Sequence, residues 1–238
     1  MLRCWNGKSG SFIPVLPACM KKPRRSKDCQ PDRGGKAYTE EELKFIIGCM
    51  EHEKLEYKAL VYFMADSGCR RGEVCGLTWD SVNMKTGEVR IRNNAQYFPR
   101  EGVKILTPKN GRERVVILNP EALRVLKAWR AQQMGWCNSR NMPLCRYCFT
   151  STKGEVLNPS TLTALFRIWG RRYGIDDFHP HKLRHSMATV SIANGADVVS
   201  VSRKLGHANP SITLNVYSHA NEEAQRRANE VLARAIYS

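Results

Sequence analysis

One stretch of strand-like sequence, from about residue 87 to residue 118, lies between segments whose apolar residues follow helical spacing. Within it, residues 107–111 (Thr-Pro-Lys-Asn-Gly) separate two runs rich in Val and Ile, and Asn-Gly is a strong signal for a β-hairpin turn. So short a strand region does not build a large sheet. We therefore expect a mixed α+β fold, mainly α-helical, with one small antiparallel sheet that carries Lys109 at its hairpin tip.

The helical segments begin at recognisable capping residues. Thr39 and Glu42 form a capping box, and a second apolar helix is expected over about residues 54–66, ending near Gly68. Three later helices are expected to start with Asn followed by Pro, which supplies an N-cap and then a proline at the first helical position. These helices would start at Asn119-Pro120, Asn158-Pro159 and Asn209-Pro210. A last helix is expected from about Asn221, and its apolar stripe consists of Ala224, Ala228, Val231, Leu232 and Ala235.

The first 36 residues differ from the rest of the chain. They contain nine Lys and Arg residues against two Asp residues, and Gly and Pro interrupt them without any periodic pattern. We predict a flexible basic arm or linker over residues 1–36 and a folded domain over residues 37–238. For about the first 20 residues, an artefact at the start of the coding sequence explains the composition equally well.

The charge balance points to polyanionic partners. Lys and Arg number 38 against 22 Asp and Glu, which gives a net charge of +16 and a pI near 9.7. Such a field attracts nucleic acid or an acidic membrane surface. Since no apolar run has the length of a membrane span or of a secretory signal core, we expect no membrane association. The nine cysteines, an odd number, then indicate free thiols in a reducing cytoplasm.

Four short segments carry the candidate functional residues. The first is an Arg-Arg-x-Glu junction between two helices, and the second is the lysine of the expected hairpin tip. The third is a His-x-x-Arg pair, whose spacing places both side chains on one face of a helix. The fourth runs from Leu-Gly-His to Tyr-Ser-His. The candidates are Arg70, Arg71, Glu73, Lys109, His181, Arg184, His207 and Tyr217.

Each segment taken alone has an ordinary structural explanation, such as a surface ion pair on a tight turn or a half-buried tyrosine. Metal binding is a further alternative, because His181 and His185 have i, i+4 spacing, but no carboxylate or third histidine completes a ligand set nearby. Cys137, Cys145 and Cys148 include one Cys-x-x-Cys pair without an evident fourth ligand. We therefore expect no metal site and no cofactor.

Taken together and in order, the four segments resemble the signature of the tyrosine recombinases, the family of phage integrases, Xer-type recombinases and conjugative-transposon integrases. In that family a Gly-x-Arg-x-x-Glu turn precedes a lysine on a β-hairpin and a His-x-x-Arg helix start. A Leu-Gly-His segment and a tyrosine followed shortly by histidine come next. The resemblance covers about residues 37–238 and rests on six positions in order: Arg70, Lys109, His181, Arg184, His207 and Tyr217.

The resemblance implies an integrase-type DNA breaking-rejoining catalytic domain that cleaves DNA with Tyr217 through a 3′-phosphotyrosine intermediate. Phosphodiester cleavage needs an in-line nucleophile, charge stabilisation on the phosphate and a proton for the leaving oxygen. Arg70 and Arg184 would bind the non-bridging oxygens, because a guanidinium matches phosphate geometry. Lys109 would protonate the departing 5′-oxygen, and His181 would act as a base or a phosphate ligand.

The remaining assignments concern supporting contacts. His207 would donate a further hydrogen bond to the phosphate, and Glu73 would orient an arginine without touching DNA. Arg71 and Lys182 would bind DNA as additional positive charges near the phosphate. Neither ATP nor a metal is required, which agrees with the lack of a glycine-rich phosphate-binding loop in the sequence.

The resemblance also implies partners. They are double-stranded DNA, further copies of the chain in a tetramer assembled through the C-terminal helix, and an accessory DNA-bending or directionality factor. We expect a bacterial, nucleoid-associated enzyme from a phage or another mobile element. Family members usually carry an N-terminal helical domain that closes a clamp around DNA. About 36 residues are too few to build it, so we expect either a truncated integrase or a short member that relies on its basic arm.

The sequence is also compatible with three competing functions. A DNA-binding regulator without catalysis would use residues 193–217 as a helix-turn-helix-like unit. A metal-dependent nuclease would use the histidines, but it lacks the expected pair of carboxylates. A type IB topoisomerase or telomere resolvase would use related tyrosine chemistry without recombination. The spacing from Leu-Gly-His to Tyr-Ser-His favours the integrase branch.

Overall fold

The structure is a computed structural model that describes residues 37–108 and 113–206, together with Asn229, Ala233 and Ile236, which are helical. Within residues 37–206, apart from the gap at 109–112, it contains seven α-helices, one 3-10 helix and two small antiparallel sheets. The helices are α1 (Glu40–Met50), α2 (Leu55–Ser67), α3 (Arg71–Cys75), α4 (Pro120–Ser139), α5 (Pro159–Tyr173), α6 (Pro180–Ala193) and α7 (Val198–Leu205), and the 3-10 helix is Trp79–Ser81. The strands are β1 (Glu88–Ile91), β2 (Asn94–Phe98), β3 (Gly102–Leu106) and β4 (Arg114–Ile117). The prediction of a mainly helical α+β fold is confirmed.

The helix starts follow the capping chemistry of the sequence. The hydroxyl of Thr39 accepts a hydrogen bond from the backbone N–H of Glu42 at 3.2 Å, and the Glu42 carboxylate accepts one from the Thr39 N–H at 3.0 Å. The side chains of Asn119 and Asn158 cap α4 and α5, each with a proline at the first helical position. The expected start at Asn209 lies outside the described residues, as do the start and apolar stripe of the last helix.

The core is organised around α2. Its side chains are buried on more than one face, because α1, α4 and α6 all pack against it. Leu60, Phe63 and Met64 of α2 lie in one large apolar cluster with residues of α4 and α5, such as Leu126 and Phe166. This cluster fixes the C-terminal end of α2, from which the next functional segment departs.

The two sheets together form one long, interrupted hairpin. β2 pairs with β3, and its turn consists of residues 99–101, where Arg100 has a φ of 70°. β1 pairs with β4 in a register that places Val89 opposite Val116. In the sequence, residues 107–113 form an insertion between β3 and β4, whereas only residues 92–93 separate β1 from β2.

The predicted hairpin around Asn110-Gly111 is therefore wrong in its pairing, although the predicted strand region is confirmed. β3 and β4 flank Asn110-Gly111 but do not pair with each other. The physical reason is burial: pairing with β1 places Val116 in the core beside Val89, and both side chains are almost fully buried. Lys109 belongs to the insertion between β3 and β4 and lies outside the described residues.

A second, smaller apolar cluster joins α6 to α7. It contains Met187 and Ala188 of α6 and Val201 and Leu205 of α7. α6 also packs against α2, so the end of α2, the start of α6 and the end of α7 lie close together. In the part of the chain that the structure describes, no helix combines the length and apolar character needed to cross a membrane.

Gly68, which ends α2, is required by this packing. It has a φ of +61°, and an added Cβ would lie 2.2 Å from Cε of Met187 and 2.8 Å from Cδ2 of Leu205. We expect Gly68→Ala to lower the free energy of unfolding by about 1–3 kcal/mol, measured by urea denaturation.

Gly135→Ala is the matched control for this substitution. Gly135 lies inside α4, and nothing is found within 4 Å of an added Cβ. This change should raise the free energy of unfolding by about 0.5–1 kcal/mol, because alanine is the better helix former. A Gly68→Ala protein as stable as the wild type would contradict the close packing of α2 against α6 and α7.

Candidate active site

The turn between α2 and α3 positions the first arginine. Gly68 ends α2 in the left-handed conformation, and Arg70 is the N-cap residue of α3. Glu73, at the third position of α3, reaches back so that its carboxylate accepts a hydrogen bond from the Arg70 N–H at 2.7 Å. The same carboxylate accepts one from Nη1 of Arg70 at 3.1 Å. Glu73 is buried, whereas the Arg70 side chain is 37% exposed, so part of its guanidinium faces solvent.

Arg184, from α6, brings a second guanidinium to the same place. It is buried, and its Nη1 donates to the carbonyl of Gly68 while its Nη2 donates to the carbonyl of Leu205 at 2.7 Å. Neither partner is a carboxylate. Burial lowers the pKa of Arg184 to about 10, and the positive charge of Arg70 adds to the shift. The carbonyl oxygens thus orient the guanidinium group of Arg184 without neutralising its charge.

Arg114, at the start of β4, is a third guanidinium that the sequence analysis missed. Its Nη1 and Nη2 donate to Glu73 at 2.9 and 2.7 Å, and its Nε donates to the carbonyl of Lys204 at 2.9 Å. The sequence did contain a signal. Residues two apart on a strand share a face, so Arg114 is expected on the same side of β4 as the buried Val116.

The C-terminal end of α7 is the point at which the three arginines meet. The carbonyls of Lys204 and Leu205 accept hydrogen bonds from Arg114 and Arg184, and the carbonyl of Gly206 lies 3.4 Å from Nη2 of Arg70. These carbonyls carry the partial negative charge of the helix end, which favours cations there. Of these three guanidinium groups, those of Arg70 and Arg114 bind the carboxylate of Glu73 and that of Arg184 binds carbonyl oxygens, so the cluster retains positive charge.

Burial of Glu73 would by itself raise the pKa of its carboxyl group. Hydrogen bonds and charge from Arg114 outweigh this effect, Arg70 contributes in the same direction, and the pKa of Glu73 is lowered. Glu73 therefore remains ionised beside the arginines.

His181 lies in the first turn of α6, three residues before Arg184. His179 caps this helix by accepting a hydrogen bond from the Lys182 N–H at 3.1 Å, and Pro180 occupies the first helical position. The ring of His181 is exposed to the groove described below. Partial desolvation there, and then the charge of Arg184, lower the pKa of His181. At neutral pH the imidazole is therefore uncharged and able to accept a proton.

A groove of about 990 Å³ opens at this cluster. Arg70, Arg184 and His181 line it together with basic residues of the neighbouring elements. Those basic residues are Arg71, Arg167 and Arg171. Arg71 donates a hydrogen bond to the hydroxyl of Thr163 on α5 at 2.7 Å, and residues 163, 167 and 171 follow one another at i, i+4 spacing on one face of α5. The groove thus has a basic wall that continues from the arginine cluster.

Lys182 lies apart from this basic wall. Its side chain is buried, with Nζ 4.4 Å from the ring centroid of Tyr38 and 3.6 Å from the carboxylate of Asp177. Successive residues of an α-helix are about 100° apart around its axis. Lys182 therefore lies on a different face of α6 from His181, and its side chain points into the interior. Lys182 was expected to contact DNA, but its buried side chain packs against Tyr38 instead.

The structure brings Arg70, Glu73, His181 and Arg184 together, as the resemblance to the tyrosine recombinases implies, and places Arg71 beside them in the groove. Lys109, His207 and Tyr217 lie outside the described residues. Among the residues described, no group of three or more His, Cys, Asp or Glu side chains is arranged to hold a metal ion. The sulfur atoms of Cys137 and Cys145 lie 3.6 Å apart.

The sequence of this chain is similar to those of known proteins. Residues 36–224 match the phage integrase family. The tyrosine recombinase XerD of Bifidobacterium longum is 31% identical over 182 residues, which cover 75% of this chain and 54% of that protein. The chain thus spans about half the length of curated relatives that it matches.

Solved structures share the fold. The crystal structure of XerA recombinase has a TM-score of 0.64 at 26% identity, over 83% of this chain and 65% of that one. The Tn1549 transposon integrase, solved in complex with transposon right end DNA, has a TM-score of 0.72 at 18% identity, over 87% of this chain and 67% of that one. At this low identity the second likeness speaks for the fold alone.

His181 should titrate below its ordinary value of 6.5, because partial desolvation and the charge of Arg184 disfavour its protonated form. NMR spectra of histidine-labelled protein, with His181→Asn to assign the signal, would give the midpoint. In urea the same signal should titrate at about 6.5.

The titration also has a consequence for stability. Between the two midpoints the unfolded chain binds more protons than the folded one, so His181 lowers stability as the pH falls below 6.5. A midpoint in the folded protein at or above that of the unfolded chain would contradict the described environment of the ring.

Proposed function

Since this chain belongs to the phage integrase family, we propose that it is a site-specific DNA recombinase that cleaves and rejoins DNA through a tyrosine–phosphate bond. One observation carries the proposal: Arg184 is a buried guanidinium whose observed hydrogen-bond acceptors are carbonyl oxygens, beside a half-exposed Arg70. Buried cations normally have anionic partners. In the proposed function, a phosphate in the groove supplies the negative charge that Arg184 lacks.

The chemistry requires one nucleophile and one acid. In the proposed reaction, the hydroxyl oxygen of Tyr217 attacks the phosphorus, and the bond from phosphorus to the 5′-oxygen breaks. The product is a 3′-phosphotyrosine, which conserves the bond energy for rejoining. His181, neutral at pH 7, takes the tyrosine proton, and Lys109 gives a proton to the departing 5′-oxygen. Attack by a 5′-hydroxyl reverses these steps and releases Tyr217.

Charge stabilisation is the part that the described residues supply. Two non-bridging oxygens of the phosphate would lie against Arg70 and Arg184, because both guanidinium groups border the same groove. His207, which directly follows Gly206, would add a hydrogen bond. Since carbonyl oxygens and Glu73 already orient the arginines, little reorganisation is needed when negative charge develops in the transition state. This design requires neither a metal ion nor a nucleotide cofactor.

DNA would run along the basic wall of the groove. Arg71, Arg167 and Arg171 present positive charge beside the arginine cluster and match a polyanionic backbone. The net charge of +16 adds a long-range attraction. The Tn1549 integrase, which shares the fold, was solved in complex with transposon right end DNA. The partner that we propose for this chain is double-stranded DNA.

Assembly follows from the stoichiometry of strand exchange. Recombination between two duplexes breaks four strands, and each chain has one Tyr217, so four copies would be needed. We expect the tetramer to form on DNA through the C-terminal helix, with an accessory DNA-bending or directionality factor at the target site. We propose that the enzyme comes from a phage or another mobile element and acts at the bacterial nucleoid in the cytoplasm.

The other functions fit the described residues less well. A DNA-binding regulator would have no use for the buried Arg184 beside Arg70, which is costly unless an anion joins it. A type IB topoisomerase-like activity uses the same tyrosine chemistry, and the similarity to XerD and XerA favours recombination over it.

A covalent protein–DNA adduct is the direct test of this function. Purified protein is incubated in EDTA with a pool of labelled, nicked duplexes that trap cleaved ends, and the products are separated on a denaturing gel. We expect a shifted band that is lost in Tyr217→Phe and retained in Tyr97→Phe, which removes an exposed tyrosine hydroxyl from β2. An adduct that persists in Tyr217→Phe would contradict the assigned nucleophile. An adduct that requires a divalent metal would contradict the mechanism.

A further inference from the structure

We propose that Arg114 is a positioning residue for catalysis: it neutralises Glu73, so that Arg70 keeps its guanidinium available for a phosphate oxygen. This inference rests on the proposed function and deepens it. In the proposed mechanism, Arg114 does not touch the substrate. It acts through Glu73 and through the end of α7.

The contacts of Glu73 divide unequally between the two arginines. Both terminal nitrogens of Arg114 donate to the carboxylate, at 2.9 and 2.7 Å, whereas the Arg70 side chain donates one bond at 3.1 Å. Arg114 is also the more buried partner, since its side chain is 11% exposed against 37% for Arg70. The buried ion pair is therefore Glu73 with Arg114, and Arg70 is attached at its edge.

Loss of Arg114 would change this division. Glu73 is 2% exposed and cannot turn to solvent, so its charge would need another cation. Of the described side chains that donate to this carboxylate, only Arg70 would remain. A full two-bond pair between Glu73 and Arg70 would draw the guanidinium away from the groove and cancel its charge. The expected defect is therefore one of phosphate stabilisation.

A second contact of Arg114 fixes the end of α7. Its Nε donates to the carbonyl of Lys204, and an added Cβ at Gly206 would lie 2.9–3.0 Å from the Arg114 side chain. The next carbonyl, of Leu205, binds Arg184. Arg114 and Arg184 thus hold adjacent carbonyls of one helix end.

The test compares two neutralising substitutions. Single-turnover cleavage of a nicked duplex and DNA affinity are measured for Arg114→Gln, Glu73→Gln and the double variant. We expect Arg114→Gln to slow cleavage about 100-fold while DNA affinity changes by less than about tenfold. The double variant should cleave at least about tenfold faster than Arg114→Gln, because no uncompensated carboxylate remains to capture Arg70. A purely structural role predicts that the two defects add and that the double variant is the slowest.

Arg90→Gln is the matched control, because Arg90 is an exposed arginine on β1, the strand that pairs with β4. It should cleave at the wild-type rate. Should Arg114→Gln not fold, Arg114→Lys carries the test, since it retains a positive charge beside Glu73. The lysine variant should cleave within about tenfold of the wild type.

The outcomes separate this inference from the proposed function. A wild-type protein that forms no cleavage product contradicts the function and the role of Arg114 with it. If the wild type cleaves, two results would overturn the role of Arg114 alone. One is an Arg114→Gln protein that cleaves at the wild-type rate, and the other is a double variant that cleaves no faster than Arg114→Gln. A folded Arg114→Lys protein that is 100-fold slower would overturn it as well.

Discussion

The buried carboxylate of Glu73 is the interaction on which the rest of the site depends. It accepts hydrogen bonds from the backbone and side chain of Arg70 and from two nitrogens of Arg114. It thereby connects the start of α3 to the start of β4, and through Arg114 to the end of α7. A buried ion pair is favourable only when its remaining hydrogen-bonding groups are satisfied. The carbonyl of Lys204 meets that condition for Arg114.

The same arrangement explains how a positive site persists inside a folded protein. Arg184 is oriented by the carbonyls of Gly68 and Leu205, which supply partial negative charge without cancelling a full one. In the proposed function, an anion that enters the groove supplies the negative charge that the cluster lacks. Because the donors are fixed before the anion arrives, the site is suited to stabilise charge that develops on a phosphate during cleavage. The exposed, neutral His181 lines this groove, where the proposed reaction would need a proton acceptor.

Features set by local sequence were largely predictable. Capping residues such as Thr39 and Asn119, and the shared helical face of His181 and Arg184, depend on neighbours a few positions apart. The strand pairing was not predictable in this way, since burial of Val116 beside Val89 overrode the local Asn-Gly turn signal. Arg114 was missed because its partner Glu73 lies 41 positions earlier. The buried position of Lys182 likewise depends on Tyr38, which is brought beside it only by the fold.

We predict that the arginine cluster binds the scissile phosphate, and a structure of Tyr217→Phe bound to a duplex of its target sequence would show whether it does. Position 217 then cannot react, and the uncleaved phosphate is captured in place. We expect one phosphate with its non-bridging oxygens about 3 Å from the guanidinium nitrogens of both Arg70 and Arg184, with the ring of residue 217 facing the phosphorus opposite the 5′-oxygen. DNA bound with no phosphate in contact with Arg184 would contradict it, because the buried charge would then have a purely structural role.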